Sequence, residues 1–269
     1  MTLSYSRLLL CVSLATMTLA NTSLLAEPAE KAPASTAFTP AQIKELDVLI
    51  TAFLVNHPDV VMTSLQAGAE KQQQEEIKKM ETAVQGQMEA LFNDKETPFL
   101  GNVAGAQSLV VFFDPYCGHC RKFHKELTPV VEKNKDLKVL LNDIPIMGPQ
   151  SILAVQAMLA AKAQGKYDEF QKALFALEEP ASEKKLMKIA KSLGLDTKKF
   201  KADMKGPAVK KRIEHLMKLT KTIGITGTPT LIINQKKVVP GYLSSEELEK
   251  ELKGEKKEEE KKTSSDKKQ

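Results

Sequence analysis

The sequence is poor in the residues that bind metals, staple small scaffolds or cross membranes. It has no Trp, four His and three Cys in 269 residues, and aromatics make up 5%. Three cysteines cannot build the dense disulfide framework of a small secreted scaffold. Cys117 and Cys120 have no second cysteine pair to complete a zinc site, and His119 and His124 stand too close to them in sequence to chelate well. Neither a metal nor a cofactor is expected. The formal net charge of +5 is spread along the chain, which argues against nucleic acid as a partner. Charged residues reach 27%, an ordinary soluble composition with a helical flavour. No internal repeat is present.

The N-terminus reads as a secretory signal. Arg7 is the only charged side chain in the first 26 residues, and Leu8 to Leu19 is apolar with small residues interspersed. Thr18-Leu19-Ala20 and Leu24-Leu25-Ala26 both offer cleavage sites; the charged Glu27-Pro28-Ala29-Glu30 favours the second. The apolar stretch is short for a membrane span. Leu10 is too bulky to precede a lipoprotein cysteine at Cys11. Cleavage after Ala26 removes Cys11 and leaves Cys117 and Cys120 as the sole thiols. In an oxidising compartment, one closely spaced pair suits redox work better than stapling.

The chain is organised around residues 109–124. Leu109 to Phe113 is an apolar run that predicts a buried strand, broken by Asp114-Pro115. Cys117-Gly118-His119-Cys120 then opens a predicted helix, and two cysteines at this spacing on a strand-to-helix junction form a redox arrangement. The positive end of the helix dipole favours an anionic sulfur at Cys117. Such a thiolate attacks a disulfide, and Cys120 is close enough to resolve the mixed disulfide. Asp114 is the nearest acid. It is a candidate proton acceptor if it faces the sulfurs, and a turn residue otherwise. His124 is expected at the surface, and His57 and His215 carry no partner pattern.

Around this centre the chain divides as follows. Residues 27–37 read as a linker and 38–96 as an N-terminal helical region. Thr39-Pro40 starts a helix carrying Ile43, Leu46, Ile50, Phe53 and Leu54 on one face; Asn56-His57-Pro58 ends it. A long, charged helix follows, with Ile77, Val84 and Leu91 seven residues apart and Met80 and Met88 flanking them. That seam must dock on the downstream domain or pair with another copy, and oligomerisation is the favoured outcome. Residues 97–252 read as an α/β domain with turns at 94–108, a second strand at 137–144 and a helical insertion over about 147–223. A hairpin at 230–239 and a terminal helix capped by Ser244 or Ser245 close the domain. The Lys/Glu/Ser tail, 253–269, is expected to be disordered.

Phe112-Phe113-Asp114 before Cys117-Gly118-His119-Cys120, together with Gly227-Thr228-Pro229-Thr230, resembles the DsbA family of periplasmic thiol:disulfide interchange proteins. The resemblance covers roughly residues 97–252 and implies a thioredoxin fold with a helical insertion. The 38–92 extension is similar to the Com-type and ScsC-like branch, which implies an oligomer, with a dimer favoured. By resemblance Cys117 is the nucleophile and Cys120 the resolving cysteine. Pro229 is then a cis-proline facing them, with the Thr228 backbone placed to pair with a substrate strand. His119 stabilises the Cys117 thiolate by charge or hydrogen bond. The sequence departs from the family at Val111, where many members carry a buried acid.

These features imply a periplasmic enzyme that introduces or isomerises disulfides in secreted proteins, with outer-membrane association left open. An oxidase is re-oxidised by a DsbB-type membrane partner, whereas an isomerase is kept reduced by a DsbD-type one. The alternative is a periplasmic or surface chaperone or binding protein with an incidental redox pair.

Overall fold

The structure is a computed structural model that describes residues 38–254. The expected signal peptide, the 27–37 linker and the tail beyond 254 lie outside the described residues. Contacts divide the chain into two units at Thr63/Ser64.

The first unit holds α1 (Pro40–Asn56) and the start of α2 (Pro58–Gln85). A capping box opens α1: the Thr39 side chain accepts from the Gln42 backbone, and the Gln42 side chain answers at the Thr39 backbone. No residue of α1 is buried. Its apolar side chains, Ile43, Ile50, Phe53 and Leu54 among them, are exposed.

The second unit is built on a five-stranded sheet in the order β1 (Phe99–Gly101), β3 (Leu137–Asp143), β2 (Gln107–Phe113), β4 (Thr230–Ile233), β5 (Lys237–Pro240). Strands β2 and β3 are parallel, with Leu109 opposite Val139 and Phe113 opposite Asp143; every other pairing is antiparallel. Helix α4 (Gly118–Lys133) makes the parallel crossover. Five helices separate β3 from β4: α5 (Pro149–Lys162), α6 (Tyr167–Phe175), α7 (Glu183–Ser192), α8 (Thr197–Met204) and α9 (Pro207–Ile223). Helix α10 (Ser245–Lys253) carries a capping box between Ser244 and Glu247. The hairpin turns through Asn234, Gln235 and Lys236, with Asn234 and Gln235 at positive φ. The edge strand β1 lies where only turns were expected, because its three residues are too few to show a period. Among the described residues no single helix is long and apolar enough to cross a membrane.

Successive residues of a strand point to opposite faces, and β2 is apolar on both. Leu109, Val111 and Phe113 join a core with α4 and the helical insertion. Val110 and Phe112 join a second core with Leu216, Leu219 and Ile223 of α9. Val84, Leu91 and Phe92 complete that second core, with Ile77, Met80 and Met88 at its rim.

This corrects the expectation of one long helix whose 77–91 seam drives oligomerisation. Helix α2 ends at Gln85, Gly86 and Gln87 form a turn, and the chain restarts as α3 (Met88–Phe92). The seam closes over the chain's own sheet because Val110 and Phe112 need cover. Arg212 of α9 reinforces this layer through Asp94 and Thr97 in the segment after α3.

Burying a leucine of this kind contributes roughly 1.5–3 kcal/mol, and removing it adds the cost of a cavity. Leu91→Ala is therefore expected to lower stability in urea unfolding by about 2–5 kcal/mol. Phe53→Ala, on the exposed α1 face, should move it by less than about 0.5 kcal/mol. Equal effects would refute the assignment of Leu91 to the core.

Candidate active site

The β2 strand ends at Phe113, and the turn Asp114-Pro115-Tyr116 delivers Cys117 as the N-cap of α4, with extended backbone at φ −71°, ψ 118°. Four hydrogen bonds hold this turn. The Arg121 side chain donates to the carbonyls of Pro115 at 3.0 Å and Leu177 at 2.8 Å. The Tyr116 hydroxyl accepts from the Ala181 backbone at 2.7 Å. The Cys117 backbone N–H donates to the Asp114 carbonyl at 3.1 Å.

Cys117 and Cys120 are both free thiols and both buried. The Cys117 thiol donates to the Thr228 carbonyl at 3.2 Å. The Thr228–Pro229 peptide is cis, so the loop before β4 sets that carbonyl against the sulfur. The Thr228 hydroxyl is buried beside Cys120. Cys120 lies one turn inside α4. Burial, reinforced by Cys117 beside it, pushes its thiol up to about 12, although the Asp114 backbone N–H and Thr228 favour its anion.

His119 is exposed, and its ring stacks on Tyr242 with centroids 5.8 Å apart and planes at 20°. Lys122 donates to the Tyr242 hydroxyl. The structure thus brings together Cys117, Cys120, Thr228 and Pro229, while the His119 ring makes its contact with Tyr242. Tyr242 was not anticipated; it lies more than 100 residues away in sequence and no local pattern marks it.

Asp114 is fully buried but serves a different purpose from the proton transfer considered for it. Its Oδ1 accepts from the Tyr116 backbone at 2.8 Å and the Ser151 hydroxyl at 2.7 Å. Its Oδ2 accepts from the backbone N–H groups of Ile146 and Met147 at 2.8 and 2.9 Å. Four donors occupy the carboxylate, so it clamps the loop entering α5 to the catalytic turn. Gly148 makes the next step possible at φ +102°, a conformation that favours glycine. The clamp leaves the Ile146 and Met147 side chains exposed beside the site.

Two further residues escaped the sequence reading. His124 is half-buried rather than at the surface, packed edge-on against Phe175 and hydrogen-bonded to Gln171. Asp143, the last residue of β3, is buried and accepts from the Tyr167 hydroxyl at 2.8 and 3.0 Å. Burial pushes its carboxyl up to about 8; Tyr167 and the Arg212 charge oppose the rise, and Asp114 adds to it. An acid at the end of a mostly apolar strand was the only available signal.

A dithiol at the mouth of a helix, faced by a cis X–Pro peptide on a parallel–antiparallel sheet, is the site of a thioredoxin-fold thiol–disulfide oxidoreductase. Residues 108–253 match the family model for the DSBA-like thioredoxin domain, and the chain belongs to that family. A thioredoxin-like oxidoreductase from Silicibacter pomeroyi DSS-3 is 34% identical, covering 62% of this chain and 95% of that one, with a TM-score of 0.59. The thiol-disulfide exchange protein alpha-DsbA2 from Wolbachia pipientis is 25% identical over 65% and 95% of the two chains, at 0.60. ScsC from Proteus mirabilis, in a transitional conformation, is 25% identical over 81% and 97%, at 0.59. A Na(+)/H(+) antiporter NhaA from Herminiimonas arsenicoxydans is 27% identical over 127 residues, 47% of this chain. The chain spans only 20% of the length of that curated relative.

The Asp143 environment predicts a pH dependence. Between the ordinary carboxylate range near pH 4 and about 8, the folded protein keeps a proton that the unfolded chain has lost. Stability therefore falls as pH rises through this window and levels off above it. Asp143→Asn is expected to flatten the profile and to be the more stable protein at pH 8, by on the order of a few kcal/mol. Urea unfolding of both proteins from pH 4 to pH 9 checks this; parallel profiles would refute it.

Proposed function

We propose that the protein exchanges disulfides with secreted substrate proteins through Cys117 and Cys120, introducing or isomerising their bonds. The observation that carries this reading is the Cys117 thiol at 3.2 Å from the carbonyl of Thr228, on a cis peptide, with Cys120 buried behind it. Cys117 is the nucleophile, because it caps the helix and adjoins the loop a substrate strand would pair with. Cys120 resolves the mixed disulfide. Thr228 and Pro229 form the substrate-binding edge, with the exposed Ile146 and Met147 offering apolar contact to an unfolded chain. His119, exposed at the helix mouth, supplies positive charge or a hydrogen bond to the developing thiolate.

The sequence of residues 1–26 and the family support a periplasmic location. The redox partner is then a membrane protein of DsbB type for an oxidase, or of DsbD type for an isomerase. The exposed apolar residues of α1 support a homodimer, or a small oligomer, formed through residues 38–65. The rest of the 38–92 region, from Ile77 on, is engaged with the sheet.

Cys117→Ser should abolish exchange with glutathione and with a reduced, unfolded substrate. Cys120→Ser should retain the first step and accumulate mixed disulfides on non-reducing gels. Exchange by Cys117→Ser at the wild-type rate would overturn the reading. Acid trapping of thiols in cells separates the two activities: a mostly oxidised pair marks an oxidase, a mostly reduced pair an isomerase.

The Ile50→Glu, Phe53→Glu double variant should be monomeric by light scattering while exchanging thiols at the wild-type rate. An unchanged mass would remove α1 as the interface.

A further inference from the structure

Cys120 has no carboxylate to receive its proton. Val111 lines the cavity behind its sulfur, Asp114 is saturated by four donors, and Asp143 is engaged by Tyr167. Behind the sulfur lies a cavity of about 10 Å³, lined by Cys120, His124 and Gln171 together with Val111, Leu141 and Phe175. That is room for about one water. Cys120 and His124 stand four residues apart on α4. They therefore share a helix face, and the side chain at the later position leans back over the earlier turn.

The His124 ring is held in a defined state. Its Nε2 lies 3.1 Å from Gln171 Oε1, an amide oxygen that can only accept. Nε2 therefore carries the hydrogen, and Nδ1 keeps a free lone pair. Burial holds the imidazole below the ordinary histidine range, so the ring is neutral near pH 7. The charged groups around it are few. Asp168 and Lys172 of α6 pair with each other at 2.6 Å, and the Arg121 guanidinium lies over the Phe175 ring at 5.6 Å. Strands β2 and β3 present only Val111, Phe113 and Leu141 to the cavity, and α4 presents Cys120 as its titratable neighbour.

We propose that His124 accepts the proton of Cys120 when the mixed disulfide resolves, acting through this cavity. The proposal rests on the thiol-exchange reading above. In the mixed disulfide, Cys117 Sγ is bonded to the substrate sulfur and carries no charge. The Cys120 S–H bond breaks toward His124, directly or through one water. Its electron pair forms the bond to Cys117 Sγ, the Cys117–substrate bond breaks, and the substrate leaves as a thiolate. His124 becomes imidazolium and returns the proton to that thiolate or to solvent. Proton transfer and attack occur together, so a free Cys120 thiolate never has to exist in the apolar cavity. No outside oxidant or reductant enters the step.

The test mixes the reduced protein lacking residues 1–26, and so lacking Cys11, with one equivalent of 5,5′-dithiobis(2-nitrobenzoate) and follows nitrothiobenzoate release by stopped flow. The first phase reports attack by Cys117, the second attack by Cys120. In the wild type the second phase should rise with pH through an inflection below the ordinary histidine range. His124→Gln keeps a polar partner for Gln171 but has no base. Its second phase should be slower by about 10²-fold at pH 7 and track hydroxide, with the first phase unchanged. A second phase that keeps its wild-type rate and profile in His124→Gln overturns the proposal. So does a wild-type second phase with no inflection anywhere on the acid side of neutrality, a measurement that does not depend on the variant folding. Absence of a first phase in the wild type refutes the exchange reading itself, and this outcome is separate from the other two.

Discussion

Strand β2 is apolar on both faces, and that single constraint arranges the rest of the catalytic unit. A strand with Leu109, Val111 and Phe113 on one side and Val110 and Phe112 on the other cannot leave either side to water. The helical insertion and α4 cover the first face. Helix α9 and the segment from Ile77 to Phe92 cover the second. What reads as a stalk is thus partly a wall of the domain, held there by the same burial that holds the strand. The strand, fixed between two cores, in turn fixes the point at which Cys117 leaves it.

The chemistry divides between two environments a few residues apart. Cys117 caps a helix beside the Thr228 carbonyl. Cys120 is sealed in apolar surroundings that oppose its ionisation. On the proposed exchange reading, attack and resolution then have different requirements: the first sulfur needs access, the second needs somewhere for its proton to go. The surrounding polar groups sort themselves accordingly. Asp114 holds a loop, Asp143 binds a tyrosine, and His124 lies behind the resolving sulfur.

Features set by short-range chemistry were legible in the sequence. The Asp114-Pro115 break, the helix opening at Cys117, the Thr39 and Ser244 caps and the hairpin near Gln235 each follow from a few adjacent residues. That the Cys-X-X-Cys pair and Thr228-Pro229 meet at one end of the sheet was legible only through the family resemblance that the two motifs carry together. Features set by what packs against what were not legible. Ile77, Val84 and Leu91 showed a stripe but not its partner, and the partner became evident only once β2 was seen to have two buried faces. Asp114 is an acid near the sulfurs in sequence, yet its direction is decided by the backbone of Ile146 and Met147 more than 30 residues on. His124 resembles any polar residue on an amphipathic helix until Phe175 and Gln171 close over it.

The lack of tryptophan has an optical consequence. The chain's four tyrosines are Tyr5, Tyr116, Tyr167 and Tyr242; Tyr116 braces the turn before Cys117, Tyr167 is bonded to Asp143, and Tyr242 stacks on His119. With no indole to dominate the spectrum, near-ultraviolet emission and dichroism come almost wholly from phenol rings, and two of these adjoin the Cys117–Cys120 motif. A chemical change at the dithiol can therefore be followed on the molecule's own chromophores, without any added label.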